Sequence, residues 1–119
     1  MIHGLTLCRL DALPDGGARG FDPGQTGQDT LLVVRQGKAV YAYLDACPHQ
    51  GGAPMAWRKD AYLNRSGNRI VCSAHGAQFD IATGVCTLGA CLGQSLTAAS
   101  TSIINGEIHL VSSNKKEAT

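Results

Sequence analysis

Apolar and β-branched residues fall in strand-length runs punctuated by Gly, Asn and Pro, and no stretch sustains a 3.6-residue apolar period between helix caps. Residues 30–34 and 39–44 are two such runs on either side of Gln36-Gly37-Lys38, a hairpin turn. Residues 100–104 and 107–111 flank Asn105-Gly106, whose tolerance of positive φ at both positions suits a two-residue hairpin. Shorter strands are predicted at 69–71 and 78–81. The alternating stretch 5–10 makes Cys8 a small core residue. Residues 14–29, with five Gly and two Pro, read as a long surface loop. The segment 112–119 is polar and reads as a flexible tail. The expected fold is all-β and antiparallel, with a sheet before and a sheet after a central insert.

Composition narrows the class. A chain of 119 residues, 44% hydrophobic, can bury one core without disulfides, so a single domain 1–119 is expected, with no room for a second catalytic module. No apolar run approaches the ~20 residues of a membrane helix, and Met1-Ile2-His3-Gly4 lacks the charged start of an export signal. A cytoplasmic protein that binds neither membrane nor nucleic acid is expected. Five cysteines in that setting argue for ligands and reduced thiols rather than a disulfide framework. The sequon Asn64-Arg65-Ser66 then carries no meaning, and His3 and His109, lacking Cys or His neighbours at ligand spacing, read as ordinary residues.

The chemistry concentrates in Cys47-Pro48-His49-Gln50-Gly51 and Cys72-Ser73-Ala74-His75-Gly76. Each loop offers one thiolate and one imidazole, the donor set of a 2Fe-2S cluster in which one iron keeps two Cys and the other takes two His. The same four donors would also suit a Cys2His2 zinc site, although zinc spacings usually pair Cys with Cys and His with His. Gly51, Gly52 and Gly76 sit where backbone must approach cluster sulfide closely. Together with Phe79-Asp80 and Thr83-Gly84, the Cys-x-His and Cys-x-x-His loops resemble the Rieske 2Fe-2S family.

That resemblance implies the Rieske fold: antiparallel sheets carrying a small cluster-binding subdomain formed by two loops, here about residues 46–92. It implies Cys47, His49, Cys72 and His75 as ligands of a Rieske-type 2Fe-2S cluster, with the two His as the electron exit. It also implies an electron carrier rather than an enzyme, taking single electrons from a flavin-dependent reductase to a non-haem iron terminal oxygenase. The alternative is a small Rieske subunit or accessory electron donor of another redox enzyme. Respiratory members carry a bracing disulfide between the ligand loops where this chain has Gly52 and Ala74, and hydroxyl donors where it has Ala77 and Phe79. Fewer hydrogen bonds to sulfur favour the oxidised state, so the potential is expected near the bottom of the ~ −150 to +300 mV range of such centres, with the Ser73 hydroxyl able to restore one bond.

Departures from the family pattern are few. His49 and Cys72 are separated by 22 residues, longer than in ferredoxin members, with the extra length expected within 58–68. The segment 88–93, which usually covers the cluster, contains no Pro. Between the ligand loops, Arg58, Lys59, Arg65 and Arg69 outnumber the single Asp60, which suggests either a docking surface for an acidic partner or an ordinary solvated loop. Cys86 and Cys91, five apart in a Gly-containing loop, read as small inert residues, with contact to the cluster environment, a redox pair or a redox sensor as the other readings.

Overall fold

The computed structural model describes residues 5–46, 59–72, 76–89 and 91–112. Among the described residues nine strands follow one another: β1 (Leu5–Arg9), β2 (Ala18–Phe21), β3 (Leu31–Gln36), β4 (Ala39–Leu44), β5 (Arg69–Cys72), β6 (Ala77–Asp80), β7 (Cys86–Leu88), β8 (Ala98–Ile104) and β9 (Glu107–Ser112). A 3-10 turn, Leu10–Ala12, follows β1. All strand pairs are antiparallel, in a six-stranded sheet ordered β1-β9-β8-β4-β3-β2 and a three-stranded sheet ordered β5-β6-β7. The all-β antiparallel expectation therefore holds.

The continuous apolar run of β3 has a physical reason: four successive side chains, Leu31 to Val34, are buried, so both faces of that strand are covered. Leu32 and Val34 join Tyr43, Tyr62, Ile70, Cys72 and Phe79 in one core, which seals the small sheet against the large one. Leu31 and Val33 join Leu13, Ala42 and Ile108 in a second core on the opposite face. Cys8 is half-buried at the edge of that second core, the structural role its position in the sequence suggests.

Three features differ from the sequence reading. The expected loop 14–29 contains β2, which pairs with β3 from Ala18 opposite Val34 to Phe21 opposite Leu31. A four-residue strand with Gly at its third position carries too little pattern to stand out among neighbouring Gly and Pro, and pairing supplies what propensity does not. Cys86 lies in a strand rather than a loop, because Phe79 of β6 pairs with it. Finally, the sheets expected before and after the insert are one: β4 pairs with β8 through Ala42 opposite Ala99 and Tyr43 opposite Ala98.

Candidate metal centre

Cys72 ends β5, where alternation in Arg69-Ile70-Val71-Cys72 turns Ile70 and Cys72 into the core and leaves neither side chain accessible to solvent. Antiparallel pairing of Cys72 with Ala77 then forces the chain to reverse within the intervening residues. The Gly76 N–H closes that reversal on the Cys72 carbonyl at 2.8 Å, with Gly76 at φ +73°, a conformation that L side chains rarely adopt. Ser73, Ala74 and His75 lie outside the described residues, as do Cys47, His49, Gly51 and Gly52 of the first loop. The structure thus places one of the four expected donors, Cys72, together with the chain on both sides of each loop.

One tyrosine holds the two approaches together. The Tyr62 carbonyl accepts the N–H of Val71, the residue before Cys72, at 2.8 Å. The Tyr62 hydroxyl donates to Asp45 Oδ2, also at 2.8 Å, and Asp45 stands two residues before Cys47. Asp45 is buried, and its own N–H is fixed on the Thr30 carbonyl at the head of β3. Entry to the first ligand loop and entry to the second are therefore spaced by the length of a single buried side chain. Burial, then the hydrogen bond to Asp45 and the nearby negative charges, push the Tyr62 phenol far above its ordinary value, so it is a donor at any working pH.

Lys59 and Asp60 extend this clamp. Lys59 Nζ lies 3.0 Å from Asp29 Oδ2 and 2.8 Å from Asp60 Oδ1, and it donates to the Gly20 carbonyl at 2.9 Å. The Gly20 N–H in turn donates to Asp60 Oδ1 at 2.8 Å. Against an opposing desolvation, the bonds from Lys59 and Gly20 hold the Asp60 carboxyl below its usual range. Of the four cations that suggested a docking surface, Lys59 is thus engaged by two carboxylates of its own chain. Arg65 is exposed, Arg69 donates to the Asn68 carbonyl, and Arg58 lies outside the described residues.

Behind the second loop, Phe79-Asp80 and Thr83-Gly84 act as one unit. Asp80 Oδ2 accepts from the Thr83 N–H at 2.9 Å and the Thr83 hydroxyl at 2.8 Å, and the Asp80 carbonyl accepts the Gly84 N–H at 2.7 Å. A side chain at Gly84 would meet the Tyr43 ring at 2.7 Å, so its absence lets Tyr43 cross from the large sheet and donate to the Ile81 carbonyl at 2.6 Å. His109 takes no part: on β9 its Nδ1 meets the Thr6 hydroxyl and its Nε2 lies 3.5 Å from Glu107. His3 lies outside the described residues.

Residues 4–105 match the Rieske 2Fe-2S domain. The chain belongs to the Rieske 2Fe-2S family. Among its relatives in that family, the ferredoxin component of the alkene monooxygenase system of Xanthobacter autotrophicus is 32% identical over 83 residues, which cover 70% of this chain and 62% of that protein. This chain therefore aligns with less than two-thirds of that relative's length. Among solved structures, the ferredoxin of carbazole 1,9a-dioxygenase from Nocardioides aromaticivorans superposes with a TM-score of 0.69 at 28% identity, covering 92% of this chain and 96% of that one. A chain from a complex of reduced oxygenase and oxidised ferredoxin in carbazole 1,9a-dioxygenase gives 0.69 at 26% identity, covering 91% and 92%.

The described residues fit the family's 2Fe-2S cluster. Cys72 presents a sulfur excluded from water, Gly76 lets the backbone turn beside it, and Tyr62 fixes the approach of the loop that carries the other thiolate and imidazole. Ala77 and Phe79 are fully buried and carry no hydroxyl to offer sulfur. Among the described residues no group of three or more His, Cys, Asp or Glu is arranged to hold a metal, and three of the four expected donors lie outside them. The sequence reading passed over Tyr62 and Asp45 and saw Lys59 only as a surface cation, because Tyr62 and Asp45 are 17 positions apart, Lys59 and Gly20 are 39 apart, and no local spacing marks either pair.

Proposed function

We propose that this Rieske protein is a ferredoxin: a one-electron carrier that accepts electrons from a flavin-dependent reductase and delivers them to a non-haem iron terminal oxygenase. The observation that carries this reading is the joint anchoring of both ligand-loop entrances by Tyr62, on a Rieske chain that spans 96% and 98% of two similar ferredoxins of solved structure. Cys47 and Cys72 would hold one iron, and His49 and His75 the other, in a cluster-binding subdomain of about residues 46–92 within a single domain. When bound, the 2Fe-2S group supplies a reversible one-electron couple. The chain's own residues do the rest. Tyr62 and Asp45 set the distance between the loops, and Ala77 and Phe79 withhold hydrogen bonds that would favour the reduced form. Potential is thereby kept low, as a donor to an oxygenase requires. Among the described residues no helix is long and apolar enough to cross a membrane, which is consistent with a cytoplasmic shuttle.

Reconstitution tests the proposal. Anaerobically purified protein should carry two irons and two acid-labile sulfides per chain and give a mixed-ligand cluster EPR signal on reduction. It should also be reduced by a flavin reductase and reoxidised by a Rieske oxygenase turning over substrate. Colourless protein with stoichiometric zinc would refute the cluster, and a cluster that no reductase and oxygenase pair can cycle would refute the shuttle.

A further inference from the structure

Cys86 and Cys91 bring their sulfurs to 3.2 Å of each other, with 2% and none of their surface exposed. The Cys91 thiol is within hydrogen-bond reach of Cys86 Sγ, and the backbone holds the pair there. Cys86, at the start of β7, donates its N–H to the Gln94 carbonyl, and Gln94 returns its own N–H to the Cys91 carbonyl, both at 2.8 Å. Leu92 donates to the Gly89 carbonyl inside the same turn. The loop between the two thiols is thus closed by main-chain bonds before any covalent bond exists. A disulfide needs its sulfurs at ~2.05 Å, so a shift of roughly 1 Å would complete one.

We infer that Cys86 and Cys91 form a modification site, a dithiol that a small peroxide converts to an intramolecular disulfide. One thiolate attacks a peroxide oxygen, the O–O bond breaks, and a sulfenic acid and one water form. The second thiol then attacks that sulfur, the S–O bond breaks, and a second water leaves. Both thiols are oxidised by two electrons in total, and hydrogen peroxide is reduced to two waters. Access is local: Leu88 and Leu92, on either side of the turn, are 55% and 66% exposed, so a modest opening admits an oxidant of that size. The consequence reaches the neighbouring loop. Gly89 lies against Ala77, whose Cα would be 2.8 Å from any side chain added there, and Ala77 directly follows Gly76 of the Cys72 loop. The disulfide braces a segment that the sequence leaves without proline.

The inference does not depend on what the ligand loops hold. Purified holoprotein is exposed to stoichiometric hydrogen peroxide, its remaining thiols are alkylated under denaturing conditions, and the product is cleaved with chymotrypsin, which cuts after Leu88 between the two cysteines. The expected result is a pair of peptides joined by Cys86–Cys91, lighter by two hydrogens and separated by dithiothreitol, with several-fold slower amide exchange across residues 87–93. Cys91→Ser should abolish the cross-linked pair. Full alkylation of Cys86 and Cys91 at a peroxide dose that already modifies Cys8 would overturn it, and so would cross-links that run instead to Cys47 or Cys72. Peptide mapping identifies that last case even if peroxide also bleaches the cluster.

Discussion

Tyr62 shows how one side chain can set a site without touching its chemistry. Its hydroxyl and its carbonyl hold Asp45 and Val71, the two positions from which the ligand loops depart. Tyr62→Phe keeps the ring's packing but withdraws a donor from a buried carboxylate, so a loss of about 1–3 kcal/mol is expected. Thermal unfolding should measure it, and bleaching of the visible spectrum should run ahead of unfolding in the variant. At the second loop, Ala77→Ser supplies a hydroxyl next to Gly76, and voltammetry should find a higher potential than in the parent protein. Tyr43 gives the pH dependence. Burial first, then the Asp80 charge and Tyr41, push its phenol up to about 12, and Tyr62 is raised further still. A raised folded value means that this stability is whole below the unfolded ~10 and is lost as pH climbs toward the folded values. Alkaline spectrophotometric titration should therefore show tyrosinate from Tyr43 and Tyr62 appearing only with unfolding. Phenolate at both positions near pH 10 in intact protein would contradict the burial described. Cys47, His49, Cys72 and His75 stand out in the sequence because each Cys lies two or three positions from a His. Tyr62 does not, because its partner Asp45 is brought near only by the fold.

The strands differ in legibility for the same reason. Asn105, at φ +52°, and Gly106, at φ +76°, form the turn that their dipeptide announces, so the β8–β9 hairpin is read from two residues. Gly106→Ala should cost roughly 1–2 kcal/mol, the penalty of a side chain in a left-handed conformation, and denaturant unfolding would show it as a lower midpoint at unchanged slope. β2 and β7 are different. Neither has the length or alternation to declare itself. β2 exists because β3 offers an edge and because Gly20 is bonded at both its N–H and its carbonyl by Asp60 and Lys59, 40 and 39 residues away. β7 exists because Phe79 needs a neighbour opposite. Such strands are made by tertiary pairing, and the local sequence tolerates them rather than encoding them.

At the scale of the whole molecule, the small sheet sits on the large one through an apolar core, while the residues leading into it are held by charge. A net charge of +1 gives little long-range field, so any steering of a partner rests on local cations, and Lys59 is a poor candidate. Its ammonium meets Asp29 and Asp60 and the Gly20 carbonyl, although 60% of its side chain is accessible. Arg65 is exposed and belongs to the same insert. The two should therefore separate in one experiment. Lys59→Met should lower stability by up to about 1 kcal/mol, the scale of a partly exposed ion pair, without changing how electron transfer to an oxygenase depends on salt. Arg65→Gln should leave the melting temperature unchanged and flatten that salt dependence, because an exposed cation acts within a Debye length of ~8 Å at physiological ionic strength. Stopped-flow rates from low to physiological salt, beside thermal melts, provide both readouts. A Lys59 variant that melts like the parent yet loses its rate at low salt would place Lys59 on the docking face and undo the structural role assigned to it.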